Sequence, residues 1–239
     1  MIRAVTFDLW NTLFSDRDYS EHRVGYVSDV LRTLKMERTT HEIREAYTCA
    51  ADLGRSLSAT GDHRHFTNQE RLGHVLGHLD VELPQDAWSL LIGRFENAIW
   101  ENPPSLKEGA METLEALHDR YAIGMISDTG ITSGRVIKRV MDELGILGFF
   151  SSTIFSDEVG FCKPNGLVFG RALMELGMNS SEAVHVGDLL RTDVAGAKGV
   201  GMIAVWIRGD GVEMGPYKPD YEIEVLSEVI PILDEIDKG

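Results

Sequence analysis

Four stretches of this chain end an apolar run in residues able to do chemistry. Ile2 to Phe7 is mostly apolar and stops at Asp8, with Asn11 and Thr12 beyond it in a turn. Met125-Ile126 is followed by Ser127-Asp128-Thr129-Gly130, which sets a hydroxyl and a carboxylate before a glycine that permits a tight turn. Gly160-Phe161-Cys162-Lys163-Pro164 offers a cation, and Ala183-Val184-His185-Val186 runs into Gly187-Asp188, with Asp193 five residues on. Each has a plainer reading when taken singly. Asp8, Ser127 and Asp128 are good helix caps, and Lys163 beside a helix-starting proline is an ordinary surface residue. Carboxylates at the C-terminal ends of buried strands, however, stand where open α/β sheets do their chemistry. Asp8, Asp188 and Asp193 at one sheet edge would repel each other unless a hard cation lay between them. Mg²⁺ suits such a set, because it takes few protein oxygens and leaves positions for water or phosphate. Lys163 and the Ser127 hydroxyl then supply what an anionic oxygen needs.

The elements that must position these residues are legible in the hydrophobic spacing. From about Asp16 to Asn102 the spacing is helical: Val24, Val27, Val30, Leu31 and Leu34 form one stripe, and Ile43, Ala46, Tyr47 and Ala50 another. Two more run through Leu72, Val75, Leu76 and Leu79, then through Trp88, Leu91, Ile92, Phe95 and Ile99, before Pro103-Pro104. Thr39 to Glu42 offers an N-cap for the second helix, and Gly61 to Phe66 reads as a loop. From Ser105 onward strands and helices alternate, with strands at 121–126, 152–155, 183–186, 202–207 and near Tyr221. Helices are expected at 108–118, 131–145, 167–176, 190–199 and from about Ser227. Strands joined by helical crossovers imply a parallel, right-handed sheet. Residues 1–15 and 103–239 therefore make one α/β core, interrupted by an all-helical insert over 16–102. The insert leaves just after Asp8 and is placed to cap the site.

Composition narrows the partners. The 239 residues carry a net charge of −15, a surface that repels phosphate backbones and argues against nucleic-acid binding. A small anionic substrate remains compatible if a local cation or metal offsets the field. No apolar run nears the roughly 20 residues needed to span a bilayer. Two cysteines and no recognisable secretory leader make a reducing cytoplasm the expected location. Nothing in the sequence bears on oligomeric state.

Asp8 with Thr12, then Ser127, then Lys163-Pro164, then Gly187-Asp188 with Asp193, in this order, resembles the haloacid dehalogenase-like hydrolase superfamily. The resemblance covers the whole chain and includes a helical insertion between the first two motifs, as in members with a C1-type cap. It implies a Rossmann-like parallel core with the first strand central. It also implies Asp8 as a nucleophile forming an aspartyl intermediate, and Lys163 as the cation offsetting charge between nucleophile and substrate. Thr12, Ser127 and Asp128 are then expected to bind substrate. Asp8, Asp188, Asp193 and the backbone carbonyl of Trp10 would hold Mg²⁺.

One position departs from the family pattern. Most of the family's phosphatases read Asp-x-Asp-x-Thr in the first motif, whereas this chain reads Asp8-Leu9-Trp10-Asn11-Thr12. Trp10 can neither protonate a leaving oxygen nor activate water. That substitution resembles the dehalogenases of the family, which are metal-independent and lack the Gly-Asp pair found here at 187–188. The expectation is a Mg²⁺-dependent phosphatase for a small phosphorylated metabolite. A 2-haloacid dehalogenase and a non-catalytic ligand-binding protein are the alternatives. Other features read as structural: His74 and His78 as a helix face without a third metal ligand, His63-Arg64-His65 as loop residues, Trp88, Phe95 and Trp100 as core of the insert, Cys162 as packing, and Gly209-Asp210-Gly211 as a turn.

Overall fold

The structure is a computed structural model, described here for residues 1–209 and 216–238. Most of the turn expected at 209–211 lies outside the described residues. The chain runs β1 (Ala4–Phe7), α1 (Ser20–Thr33), α2 (Thr40–Ala59), α3 (Asn68–His78), α4 (Gln85–Asn97), α5 (Ala110–Leu117), β2 (Ala122–Ser127) and α6 (Gly134–Glu143). It continues through β3 (Ser152–Phe155), the single turn α7 (Ser156–Val159), α8 (Gly166–Leu176), β4 (Ala183–Gly187), α9 (Ala195–Val200), β5 (Ile203–Ile207), β6 (Tyr221–Ile223) and α10 (Val229–Ile236).

The six strands form one parallel sheet in the order β3-β2-β1-β4-β5-β6. β1 is interior, and the strand order reverses on either side of it. That reversal opens a crevice between the C-terminal ends of β1 and β4, the usual ligand site of such sheets. Register makes the ends coincide, since Phe7 lies opposite Met125 on β2 and Val186 on β4. Asp8 extends the ladder by one bond, donating its backbone N–H to the Val186 carbonyl at 2.8 Å.

Alternation along β1 divides the core. Val5 and Phe7 face a cluster with Leu114 and Leu117 of α5, Val136 and Ile137 of α6, and Leu233 of α10. Ala4 faces the other side, where Val168, Phe169 and Ala172 of α8 pack with Ala197 of α9. α1 to α4 bury their own stripes, with Val27, Ile43, Leu72 and Phe95 in a third cluster. Thr39 and Thr67 both head capping boxes, which close the N-termini of α2 and α3 through Glu42 and Glu70.

Two elements differ from expectation. The segment 190–199 is not one helix: residues 190–194 form a wide π-type turn, in which Val194 N–H bonds the Leu189 carbonyl at 3.3 Å, before α9 begins. Such turns shift side-chain direction where a site needs it. Trp100 packs against the sheet's core rather than within the insert, because α4 stops at Asn97 and a short 3₁₀ turn redirects the chain. Among the described residues, no helix is long and apolar enough to cross a membrane.

Candidate active site

Asp8 sits at the mouth of the crevice on the last rung of β1 and is 5% exposed. Behind it the chain folds back on itself, with Leu13 and Phe14 N–H groups both donating to the Leu9 carbonyl at 2.9 and 2.7 Å. Asn11 takes a left-handed conformation there, φ 60°, which asparagine tolerates. The turn exposes Trp10 to the cavity and buries Thr12 completely.

Lys163 is not a surface residue. It is 3% exposed, and its Nζ contacts Asp8 Oδ1 and lies 2.6 Å from Asp193 Oδ1. Its backbone N–H donates to Asp128 Oδ1 at 3.0 Å, so Asp128 fixes the loop that carries the ammonium. The insert fixes the same loop from the other side. His65 N–H bonds Gly160 O at 2.9 Å, and Cys162 N–H bonds His63 O at 2.7 Å. His65 is therefore a buried partner of the Lys163 loop, its Nδ1 3.1 Å from Ser156 Oγ, rather than an exposed loop residue.

Asp193 is the hub. Its Oδ1 meets Lys163 and lies 3.2 Å from His185 Nε2, and its Oδ2 accepts the Leu189 N–H at 3.0 Å. His185 Nδ1 in turn lies 2.9 Å from Thr6 Oγ1. Burial holds the His185 imidazole below its ordinary pKa. A neutral ring satisfies both contacts when Nε2–H donates to Asp193 and Nδ1 accepts from Thr6. Neither His185 nor Thr6 stands out in the sequence. The only signal was a polar residue at two positions of otherwise apolar strands. Gly187 completes the fit, since a Cβ there would lie 2.3 Å from Asp193 Cγ.

Ligand oxygens of Asp8, Asp188 and Asp193 lie within 4.8 Å of one another. Burial pushes Asp8 well above the usual carboxylate range, with Asp193 and Asp188 adding to the rise and Lys163 opposing it. Burial acts on Asp193 in the same direction, but Lys163 and the His185 hydrogen bond outweigh it and hold that carboxyl below its ordinary value. Lys163 resists its own desolvation because Asp193, Asp8 and Asp128 surround it, and its pKa rises. Asp128 is pushed up to about 6 by burial, against the pull of Lys163. Asp8, Asp128 and Asp193 thus surround one ammonium, and the converging oxygens of Asp8, Asp188 and Asp193 suit a hard divalent cation. The donor set fits Mg²⁺.

The crevice encloses a cavity of about 370 Å³ lined by Asp8, Trp10, Asp128, Lys163, Asp188 and Asp193 among others. Thr12 and Ser127 lie beneath its floor rather than on it. Both are essentially inaccessible, and neither hydroxyl oxygen has a hydrogen-bond partner among the described residues. Buried hydroxyls without partners are uncommon in folded proteins. Cys162 is buried, and burial pushes its thiol up to about 12, an unreactive setting. His74 and His78 join no group of possible metal ligands among the described residues.

A model of haloacid dehalogenase-like hydrolases matches residues 2–201. The chain belongs to that family. It is 34% identical to the glyceraldehyde 3-phosphate phosphatase of Methanocaldococcus jannaschii over the whole of both chains. The chain spans about half the length of other curated relatives that it matches. Among solved structures, the HAD phosphatase from Thermococcus onnurineus is 29% identical, with a TM-score of 0.69 over 97% of this chain and 98% of that one. A 2-haloacid dehalogenase from Pseudomonas syringae is 25% identical, with a TM-score of 0.73 over 99% of this chain and 100% of that one.

Proposed function

We propose that this chain is a Mg²⁺-dependent phosphatase of small phosphate monoesters, working through a phosphoryl group carried on Asp8. The observation that carries the reading is the Lys163 ammonium clasped between Asp8 and Asp193, with Asp188 completing a carboxylate triad at the switch of strand order. Asp8 Oδ attacks phosphorus, the bond from phosphorus to the ester oxygen breaks, and the leaving oxygen takes that electron pair. Water then attacks the phosphoryl-Asp8, releasing phosphate and restoring the carboxylate. Lys163 offsets the charge that builds between nucleophile and phosphoryl oxygens. Asp128 holds the Lys163 loop in place, and the buried Ser127 and Thr12 support the floor and the turn beneath Asp8 rather than touching the transferred group. Asp8, Asp188, Asp193 and the Trp10 carbonyl would hold the metal, which when bound neutralises phosphoryl charge and favours Asp8 as the anion. The helical insert acts as the cap that excludes water.

Trp10 faces the cavity where an acid would otherwise protonate the leaving oxygen. The enzyme then favours leaving groups that depart as stable anions, such as acyl and aryl phosphates. The same side chain supports a second reading, a 2-haloacid dehalogenase, in which halide leaves without a proton. The carboxylate triad weighs against it, because three converging acids would burden a metal-free site.

Phosphate release from p-nitrophenyl phosphate decides between them. Turnover is expected with Mg²⁺, with loss in EDTA and in Asp8→Asn. Equal rates in Asp8→Asn, or in EDTA, would sink the phosphatase reading. Chloride release from 2-chloropropionate without metal would install the dehalogenase. Metal-dependent thermal stabilisation without turnover of either class would leave a binding protein.

A further inference from the structure

A second cavity of about 460 Å³ adjoins the first and shares Asp16, Arg23, Asp128, Gly130 and Ile131 with it. Its far wall is built by α2 and α3, and there Arg71 is 7% exposed. The Arg71 guanidinium lies over the Phe66 ring at 4.9 Å. Its one hydrogen bond among the described residues is a long one, from Nη1 to the Ala50 carbonyl at 3.4 Å, and its Nε has no partner. Arg23, on α1 and 6% exposed, lines both cavities and, among the described residues, donates only to neutral oxygens, Phe95 O at 3.2 Å and Thr132 Oγ1 at 3.3 Å.

Among the described residues neither guanidinium pairs with a carboxylate. Exposed arginines can do without a carboxylate because water solvates them, and several pair anyway, as Arg44 does with Glu21 at 2.8 Å and Arg171 with Glu175 at 2.7 Å. In a chain with 38 acidic residues, the two buried arginines have no carboxylate at ion-pair distance among the described residues, where burial makes the lack costly. Burying a guanidinium without a counter-ion is costly, and two near each other repel. Burial and the Arg23 and Arg55 charges depress the Arg71 pKa, although Tyr47 opposes them. Packing has also been cut away for Arg71. A Cβ on Gly54 of α2 would lie 2.9 Å from its Nη2 and 3.1 Å from its Nη1. Unpaired donors in a cavity, with the facing helix thinned to admit them, mark a site for an anion from outside the chain.

We propose that Arg71 and Arg23 bind a second anionic group on the substrate, so that the natural substrate is a small phosphate monoester bearing a carboxylate or second phosphate at its far end. The inference rests on Asp8 receiving the phosphoryl group, since that places the reacting end in the first cavity and the far end in the second. Arg23 spans the boundary, and Arg71 takes the distal anion through its planar fork.

The test compares the full-length chain with Arg71→Met and Arg71→Lys in Mg²⁺. Substrates are 3-phosphoglycerate (distal carboxylate), ribulose 1,5-bisphosphate (distal phosphate), and glyceraldehyde 3-phosphate and glycerol 3-phosphate (no second anion). In the wild type, kcat/KM should be at least tenfold higher for one of the first two than for the last two, and which one identifies the distal group. Arg71→Met should erase that preference through KM, raising it about ten- to a hundredfold more for the preferred substrate than for glycerol 3-phosphate. Arg71→Lys should recover part of it. The melting temperature of Arg71→Met should not fall, because no ion pair is broken. No preference in the wild type, or an equal loss for all four substrates, overturns the proposal. A lowered melting temperature with uniform loss does so by assigning Arg71 to packing. Binding to Asp8→Asn by calorimetry keeps the two readings apart. Tighter binding of 3-phosphoglycerate or ribulose 1,5-bisphosphate than of glycerol 3-phosphate, lost in Asp8→Asn/Arg71→Met, sustains the distal site even if Asp8 proves dispensable for turnover. Equal binding of all three ends it.

Discussion

Gly187→Ala adds a single methyl group to β4, and that methyl cannot be accommodated without moving Asp193. The new Cβ would stand 2.3 Å from Asp193 Cγ, 2.5 Å from its Cβ and 2.8 Å from its Oδ1. These atoms are not the free end of a flexible side chain, because Lys163, His185 and the Leu189 N–H hold both carboxylate oxygens. Overpacking of this kind costs about 1–3 kcal/mol, and weakening a charge-assisted hydrogen bond adds about 1.5–3 kcal/mol. Against this stands the gain from a stiffer unfolded chain, about 0.4–1 kcal/mol. The clash wins, leaving a net loss of about 1.5–5.5 kcal/mol. At about 2–4 °C per kcal/mol for a chain of this size, the melting temperature should fall by roughly 3–22 °C. Differential scanning calorimetry measures it, with Gly170→Ala as control. Gly170 lies within α8 with open space at its Cβ position, so alanine there should be neutral or slightly stabilising. Turnover should fall with the displacement of Asp193 and Lys163. A Gly187→Ala protein that melts with the wild type and keeps its activity would refute the idea that Asp193 is held rigidly against β4.

Trp10→Asp restores the family's acid at the cavity wall, and general acid help is worth about 10²–10⁴ in rate. Hydrolysis of glycerol 3-phosphate should therefore rise much more than that of p-nitrophenyl phosphate, and equal effects on both would remove the acid argument. Asp128, raised to about 6 in the folded chain against about 3.9 unfolded, carries a stability cost that depends on pH. Well below pH 4 the carboxyl is protonated in both states and costs nothing. As pH rises through 4 to 6 the unfolded chain ionises first, so folding loses up to about 3 kcal/mol. Asp128→Asn keeps an acceptor for the Lys163 N–H and should be more stable than wild type at pH 8 but not at pH 4, as read by urea unfolding. An advantage that is the same at both pH values would show that titration of Asp128 is not its source. Loss of phosphatase turnover in EDTA and in Asp8→Asn, and the substrate-selective effect of Arg71→Met, complete the set.

Local pattern was sufficient for much of this protein. Alternation and apolar runs placed β1, β3 and β4 within a residue or two, because a strand buried on both faces must be apolar throughout. The order of short polar motifs after those strands singled out Asp8, Lys163, Asp188 and Asp193, since parallel crossovers deliver every strand's C-terminal end to the same edge. What the residues do to one another was decided only by the tertiary structure. The wide turn at 190–194 arises where the chain must keep Asp193 against Gly187, a contact no periodicity encodes. His185 reads as an interruption in a strand until Thr6 and Asp193 are found on either side of it. Arg23 and Arg71 stand four residues before Val27 and Val75, on the buried faces of α1 and α3, but spacing alone says nothing of their partners. Only the packing of the insert against the core closes over them and leaves two guanidiniums beside the site without a carboxylate among the described residues. Charge type and spacing are local properties of a sequence, whereas burial and pairing depend on what folds on top.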